Sequence, residues 1–226
     1  MALLGKAVLG VWNEVDPAVE DSFNDWYVRE HIPERTEVPG MVRGRRYRAL
    51  EGSPRYMAFY EALTLDVLTG GAYRTQLANP TPWTRHVMAG FRFAQRGICT
   101  VLASSGDGIG GLATVVHVQP APGGEARLRG WMEDHVCRLP GMKQVAAAHA
   151  WAVAPGEPES PTSQLAANAA RNPAVHWVLA IEATEMAALT AARDAVLASD
   201  AVAHGAADVQ PYPLYRLLYC LERRGR

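Results

Sequence analysis

The feature that most limits how this chain can fold is an internal repeat. Five positions of the first half recur in the second half in the same order. The matched positions are Trp26 and Trp131, His31 and His135, Pro39 and Pro140, Glu61 and Glu182, and Arg96 and Arg216. Such self-similarity indicates two copies of one structural unit. The last two pairs lie farther apart than the others, so segment 154–173, rich in Pro, Ser and Asn, is interpreted as an insertion in the second copy.

Each copy has the pattern of strand, helix, strand, strand, helix, strand. In the first copy, residues 6–15 are apolar and β-branched, as expected of a strand. Asp16 and Pro17 then provide the N-cap and first turn of a helix that extends to about Glu37. Two strands follow, a second helix begins near Asp66, and a final strand completes the copy.

A βαββαβ unit corresponds to the ferredoxin-like arrangement, in which the helices cover one face of an antiparallel sheet. The other face needs cover, and two units in one chain can supply it to each other. We therefore predict an α+β protein in which two tandem ferredoxin-like units pack sheet to sheet. The predicted boundaries are 1–104 for the first unit, 105–111 for a glycine-rich linker and 112–226 for the second unit.

Motifs in the first copy add a family resemblance. The pattern W-Y-x-x-E-H-I-P-E-R, followed by V-P-G, R-R-Y-R, R-Y-x-A-x-Y-E and N-P-T-P-W-T-R, resembles bacterial proteins of the dimeric α/β barrel superfamily, near the EthD-like group. The resemblance is densest over residues 23–97 and implies an intramolecular dimeric α/β barrel, with a pocket between sheet and helices. Relatives include cofactor-independent monooxygenases, polyketide cyclases, muconolactone isomerases and haem-degrading enzymes, so the resemblance implies the fold better than the reaction.

Composition and charge exclude several functional classes. The formal net charge of −1 provides no basic surface for nucleic acid and no polybasic patch for a membrane. No apolar run is long enough for a spanning helix, and the apolar start, interrupted by Lys6, is not interpreted as a signal peptide. The three cysteines are widely spaced and fit neither a disulfide framework nor a zinc site, which favours a cytoplasmic location.

His31 is the leading candidate for catalysis. It lies near the end of the first helix, and Glu34 is three residues farther on. A histidine held by a carboxylate near a helix C-terminus gains affinity for protons and suits general acid–base catalysis. The alternative is a structural histidine that packs the helix end. The matching His135 lies on an apolar helix face, which favours a hydrogen-bonded core histidine there.

His86 is the second catalytic candidate. It belongs to segment 83–86, Trp-Thr-Arg-His, which has no clear counterpart in the second copy. A feature present in one copy only is a better functional candidate than a shared one. The alternative is an exposed residue at a helix start, beside Trp83 as a packing anchor.

Four arginines with a tyrosine among them form the densest charge cluster. Because side chains alternate along a strand, one face would carry Arg43, Arg45 and Tyr47, and the other Arg46 and Arg48. Arginine can bind a carboxylate, phosphate or enolate through paired hydrogen bonds. The aligned stretch of the second copy has no arginine, so an anion would bind the first copy, at Arg43 or Arg46. The alternative is pairing with acids such as Glu61 on an edge strand.

The recurring glutamates are interpreted as structural. Glu61 and Glu182 each interrupt an apolar strand, and a buried carboxylate needs a partner. The recurring Arg96 and Arg216 are the expected partners, as ion pairs rather than catalytic acids.

The predicted pocket of the first copy is aromatic with a few polar groups. In addition to the arginines, its lining residues would be Trp12, Asn13, Tyr47, Tyr60 and Trp83. No pair of histidines has the spacing of zinc ligands with a third ligand nearby, and no phosphate-binding or dinucleotide motif occurs. No metal and no cofactor are therefore predicted, although haem stays open because one histidine suffices to bind it.

These expectations lead to a protein that binds an apolar or aromatic small molecule. Whether it is an enzyme is left open. If it is, the expected chemistry is cofactor-free isomerisation, cyclisation or lyase chemistry, or a monooxygenase-like reaction, on a carbonyl or phenolic compound, with His31 or His86 moving the proton. The alternatives are a non-catalytic binding or assembly protein of the same fold and a haem-binding protein. The sequence identifies no substrate and leaves a homodimer open.

Overall fold

The computed structural model describes residues 3–154 and 175–223. The strands are β1 (Ala7–Val15), β2 (Met41–Ala49), β3 (Tyr56–Ala62), β4 (Phe91–Gly106), β5 (Leu112–Pro120), β6 (Val145–Val153), β7 (Trp177–Ala183), β8 (Ala206–Pro211) and β9 (Tyr215–Glu222). The α-helices are α1 (Glu20–Trp26), α2 (Ile32–Glu37), α3 (Leu65–Thr69), α4 (Gly71–Ala78), α5 (Pro82–Ala89), α6 (Glu125–Arg138) and α7 (Met186–Leu197). A π-helix joins α1 to α2, and the predicted insertion 154–173 lies outside the described residues except for Ala154.

The two halves of the chain have the same order of strands. The first sheet runs β4, β1, β3, β2, and the second runs β8 with β9, then β5, β7, β6. β4 is continuous and pairs with β1 and then with β6 of the other half. The equivalent strand of the second half is interrupted, so β8 pairs with β5 and β9 pairs with β2. These pairings close an antiparallel barrel, which confirms two ferredoxin-like units packed sheet to sheet in one chain.

Three hydrophobic cores follow from this arrangement. The barrel interior contains apolar side chains from both sheets, such as Trp12, Met57, Val115 and Trp151. A second core lies between the first sheet and its helices, and a third lies between the second sheet and α6 with α7. Each sheet is therefore covered on both faces, once by helices and once by the other sheet. Within the described residues, no helix is both long and apolar enough to cross a membrane.

Local signals placed the elements well, with one difference at the linker. Asp16 caps the first helical segment by accepting a hydrogen bond from the Ala18 amide at 2.9 Å, and Pro17 follows it in the first turn. The last helical segment before β2 ends at Glu37, where the sequence predicted the end of the first helix. β4, however, continues to Gly106, so residues 105 and 106, which the sequence assigned to the linker, extend this strand.

The buried glutamates are paired, but not with the predicted arginines. Arg45 donates to Glu61 Oε1 at 2.8 Å and to Glu182 Oε1 at 2.6 Å, and so joins the two halves. Arg43 also binds Glu61, at 2.7 Å, and His149 Nε2 lies 3.1 Å from Glu182 Oε1. The expectation of Arg96 and Arg216 is therefore wrong, because the closed barrel brings together strands whose contacts the sequence does not show.

The strand register explains this error. Arg96 lies opposite Val11 in β1, whereas Arg216 lies opposite Leu112 in β5. Leu112 occupies the position in its unit that Ala7 occupies in the first unit, so the two arginines are not at equivalent places in the sheet. Arg96 instead donates a hydrogen bond of 3.0 Å to the hydroxyl of Tyr73.

Candidate functional site

The helix that carries His31 contains a π-helical turn, Tyr27–His31, between two α-helical segments. π-Turns contain one residue more than an α-turn and often occur at functional sites. Trp26 and His31, five positions apart, stack with their ring centroids 4.1 Å apart. Their counterparts Trp131 and His135 are only four positions apart on the regular helix α6, with centroids 4.4 Å apart. The same ring contact is thus made by different helix geometries in the two units.

The two histidines differ in their hydrogen bonds. In α6, His135 Nδ1 donates to the carbonyl of Trp131 at 2.8 Å. Although His31 is partly exposed as a residue, its Nδ1 is buried and has no hydrogen-bond partner among the described residues. Tyr27 and Tyr60 enclose the His31 ring edge-on, with centroids 5.1 and 6.0 Å away. His31 therefore has an unused ring nitrogen within an aromatic environment.

The charge state of His31 differs from the prediction. Burial, and then the positive charges of Arg35 and Arg46, hold the pKa of His31 well below its usual range. The expectation that Glu34 raises its proton affinity is wrong, because no carboxylate contributes to this shift. Glu30, the residue before His31, already binds other groups, since its Oε1 accepts hydrogen bonds from Trp26, Thr81 and Thr84. At neutral pH the imidazole of His31 is uncharged.

Three further polar side chains lie on the face of the first sheet that packs against its helices. They are Asn13 on β1, Arg46 on β2 and Tyr60 on β3, each at most 2% exposed. Asn13 Nδ2, Arg46 Nε and the Tyr60 hydroxyl have no hydrogen-bond partner among the described residues. Buried polar atoms are nearly always bonded, so several unbonded ones in one place indicate a ligand or ordered water.

Tyr27 connects these groups to His31. Asn13 and Tyr60 lie close enough to its hydroxyl to moderate the rise in pKa that burial causes. Burial likewise raises the pKa of Tyr60 well above its usual range, so both phenols remain protonated and can donate hydrogen bonds at neutral pH. Gly44 makes room for Tyr60, because a Cβ atom at this position would lie only 3.1 Å from the Tyr60 ring.

Arg46 is the only one of these groups with a full charge. Its guanidinium carbon lies 4.3 to 4.7 Å from the ring centroids of Tyr27, Phe23 and Tyr56, a cation–π environment. One terminal nitrogen donates to Asn24 Oδ1 at 2.7 Å, which orients the group and leaves Nε free. Burial lowers the pKa of Arg46, but not enough to remove its charge at neutral pH.

We use the name polar cluster for Asn13, Tyr27, His31, Arg46 and Tyr60. Residues 112–154 and 175–223, the described part of the second unit, contain no such cluster. By strand register, Asn13, Arg46 and Tyr60 correspond to Val118, Ala150 and Ile181, all apolar and buried.

The remaining predicted residues of β1 and β2 lie on the opposite face of the sheet. Trp12 and Tyr47 are buried in the barrel interior. Arg43 is bound to Glu61 through two of its nitrogens, at 2.7 and 2.9 Å. The predicted alternation along β2 therefore places Tyr47 and Arg46 on different faces, so Trp12, Arg43 and Tyr47 do not join the polar cluster.

The two predicted residues of α5 also lie outside the polar cluster. Trp83 is partly buried against the first core, and its indole nitrogen donates to Ser22 Oγ at 2.9 Å. His86, three positions farther on, is exposed to solvent.

The structural comparisons identify the fold. An anthrone oxidase-like protein superposes with a TM-score of 0.67 at 11% identity, covering 98% of this chain and 95% of that one. A proposed monooxygenase from Fusobacterium nucleatum gives 0.60 at 10% identity, covering 99% and 98%. A mutant chlorite dismutase from Candidatus Nitrospira defluvii gives 0.57 at 12% identity, covering 94% and 90%. The chain has the dimeric α/β barrel fold. No protein-family model and no curated protein matches its sequence.

These identities are low, so the likeness to each neighbour extends to the fold alone, and the site must be argued from its own residues. The residue that sequence reasoning missed is Tyr27, which belongs to the W-Y-x-x-E-H motif but was not among the predicted pocket residues. A signal was present, because the Trp–His spacing is one residue longer in the first copy than in the second. That extra residue indicates a π-turn, and the π-turn contains Tyr27.

Proposed function

We propose that the chain is a cofactor-free enzyme that binds a carbonyl or phenolic small molecule at the polar cluster and moves a proton. The bound oxygen would accept hydrogen bonds from Arg46 Nε, Asn13 Nδ2 and the Tyr60 hydroxyl. Such preorganised donors stabilise negative charge as it develops on an oxygen. His31 would accept the proton through its free ring nitrogen.

The single observation that supports this proposal is the set of unbonded polar atoms in one unit, where the other unit is apolar at three equivalent sheet positions. Leaving a buried polar group without a partner costs about 1–3 kcal/mol. The cost is offset if a ligand supplies the missing partner.

The proposed proton transfer is chemically balanced. A C–H bond next to the carbonyl breaks, its proton passes to the neutral imidazole of His31, and its electron pair forms an enolate whose oxygen faces Arg46. The new negative charge offsets the field of Arg35 and Arg46 that lowers the pKa of His31, so the histidine becomes more basic as the enolate forms. The imidazolium then returns the proton, to the same carbon or to another.

Hydrogen–deuterium exchange of anthrone tests this step directly. Anthrone has acidic CH₂ protons beside two rings conjugated with a carbonyl, and exchange without oxygen separates proton transfer from any oxidation. We expect the protein in anaerobic D₂O to accelerate exchange over buffer, measured by mass spectrometry. Arg46→Met should reduce this acceleration by roughly 10²–10³-fold, as loss of one oxyanion donor does in other enzymes.

Arg127→Met is a matched control, because Arg127 is an exposed arginine of α6 in the second unit. It should retain wild-type exchange. Equal exchange by folded Arg46→Met and wild type would refute the proposed role of Arg46.

A non-catalytic binding protein is the second candidate, and the low pKa of His31 favours it, because a weakly basic imidazole is a poor general base. It would bind anthrone at the polar cluster without accelerating exchange. Quenching of tryptophan fluorescence, with Trp26 in contact with His31, would report binding, and the exchange assay would report chemistry.

We propose that haem is not required. Among the described residues, His31 and His117 have buried ring nitrogens without a hydrogen-bond partner and are the first candidates to ligate haem, but the proposed proton transfer uses side chains alone. A Soret shift on adding haemin, lost in His31→Ala or His117→Ala, would contradict this. We further propose a cytoplasmic protein descended from a duplicated unit and related to the EthD-like group.

A further inference from the structure

A cleft of about 430 Å³ lies where β2 ends and where β3 and β9 begin, at the edge of the junction between the two units. Four charged side chains line it: Arg48, Glu51, Arg55 and Arg216. None of them belongs to the polar cluster, and none was singled out as a site residue by the sequence. Three arginines against one glutamate leave an excess of positive charge in a small space.

Arg48 and Arg216 are direct neighbours across the β2–β9 pairing. Each follows a tyrosine buried in the barrel interior, Tyr47 and Tyr215, so strand alternation places both arginines on the outer face of the sheet. Like charges directly opposite each other on adjacent strands destabilise a sheet. Among the described residues, neither arginine forms a hydrogen bond or an ion pair, so their guanidinium donors are unused.

Arg55 adds a third positive charge to the lining of the cleft. It forms an ion pair of 3.1 Å with Glu20 and is about half exposed, so it has donors left for another acceptor. Glu51 is exposed and forms no hydrogen bond among the described residues. The lining is therefore cationic, open to solvent and rich in unused guanidinium donors.

We propose that this cleft binds a phosphoryl group, either as free phosphate or as the phosphate of a small ester. A phosphoryl group carries about −1.5 to −2 charges near neutral pH, which matches two opposed guanidinium groups. Arginine binds such oxygens in bidentate pairs. This site is separate from the polar cluster in its contacts, because Arg48 and Arg216 bind neither His31 nor the atoms proposed to hold an oxyanion, although the charge of Arg48 is near enough to lower the pKa of Arg46.

Calorimetric titration with inorganic phosphate, at ionic strength held constant with NaCl, tests the proposal. We expect saturable binding that Arg48→Gln and Arg216→Gln each weaken at least tenfold. Arg129→Gln is the matched control, since Arg129 is an exposed helix arginine with an acidic partner, Glu133. It should bind as the wild type does. Absence of saturable binding, or equal weakening in Arg129→Gln, would overturn the proposal.

Thermal unfolding without phosphate provides a second readout. Because Arg216→Gln removes a like-charge contact, its Tm should equal or exceed the wild-type value; a lower Tm would show that Arg216 has a structural role and would count against the site. Phenyl phosphate distinguishes the two sources of the group. Tighter binding of phenyl phosphate than of inorganic phosphate indicates an ester as the occupant, and the reverse indicates free phosphate.

Discussion

In both units of the barrel, helices cover one face of the sheet. The two units differ in the side chains that lie between sheet and helices. In the first unit this space contains Asn13, Arg46 and Tyr60; at the equivalent positions the second unit has Val118, Ala150 and Ile181. The fold therefore does not need polar groups at these positions. Their presence in one unit is a property of that unit and not of the architecture.

The helix that carries His31 also differs from its counterpart in the second unit, which carries His135. The second unit has a regular α-helix, in which His135 Nδ1 donates a hydrogen bond of 2.8 Å to the Trp131 carbonyl. The first unit inserts a residue through a π-turn, and His31 Nδ1 has no partner. Buried polar atoms without a partner are rare and π-turns often occur at functional sites, so the two features together favour a functional role for His31. Sheet and helix thus both support the proposal that the first unit carries the site.

Replacement of the two equivalent histidines gives the largest expected contrast. His31→Ala should reduce anthrone exchange by roughly 10²–10⁴-fold, because general acid–base groups contribute about that factor. His135→Ala should leave exchange unchanged, since its ring only bonds its own helix.

Both variants need a check by urea unfolding, because each loses an aromatic contact with a tryptophan. Equal loss of exchange in folded His31→Ala and His135→Ala would remove the functional difference between the units. Retained exchange in His31→Ala would exclude His31 as the proton acceptor.

The second prediction concerns the buried ion pairs that connect the two units. Arg45 bridges Glu61 of one unit and Glu182 of the other, and it is fully buried. Removing one partner of a buried charge pair costs about 3–5 kcal/mol, because the remaining charges stay buried without compensation. Arg45→Met should lower the free energy of unfolding by about that amount, measured by urea denaturation. Arg193→Met, which breaks an exposed pair with Asp194, should change it by less than about 1 kcal/mol.

Much of the fold could be predicted because it follows from local patterns. The two βαββαβ units follow from repeated motifs and strand alternation, and alternation also separated Arg46 from Tyr47. The partners of Glu61 and Glu182 could not be found in this way. Arg45 reaches Glu182 only because β2 and β7 face each other across the barrel interior, and no property of the sequence around Arg45 specifies the register of a closed barrel.

The candidate site was predictable in part for the same reason. Asn13, His31, Arg46 and Tyr60 were singled out by residue type, and the structure brings them to one face of one unit. The proton affinity of His31 was predicted with the wrong sign. The sequence reasoning weighed only Glu34, whereas burial is the main cause of the lowered pKa, followed by the positive charges of Arg35, four residues farther along the helix, and of Arg46 on β2.

A pH titration provides the third test and concerns the barrel interior. Trp12 and His117 occupy equivalent positions of β1 and β5, and only the histidine titrates. Burial, and then the nearby His176, lower the pKa of His117 to about 3. Because the folded pKa lies below the unfolded value of about 6.5, the neutral ring stabilises the fold above pH 6.5, and this contribution is lost as the pH falls towards 3.

Between pH 7 and pH 5, His117 should account for a loss of about 2 kcal/mol, at roughly 1.4 kcal/mol for each pH unit below 6.5. His117→Phe should remove this part of the decline in urea-unfolding free energy. A variant that declines as steeply as the wild type would show that His117 titrates normally in the folded protein.

The smallest expected effect tests whether the first unit is less stable because of its polar groups. The Tyr60 hydroxyl is buried and lies near the Tyr27 hydroxyl, but without a hydrogen bond of good geometry, so Tyr60→Phe removes a group whose burial is largely uncompensated. We expect the free energy of unfolding to stay equal or rise by about 1 kcal/mol, while anthrone exchange falls about tenfold.

Tyr215→Phe is the matched control, because that hydroxyl donates to the Pro54 carbonyl at 2.9 Å and its loss should destabilise the protein. Destabilisation of similar size in both variants would mean that the Tyr60 hydroxyl is bonded in the free protein, by water or by a neighbour. The polar cluster would then be a satisfied part of the core, and the contrast between the units would be one of packing and not of function.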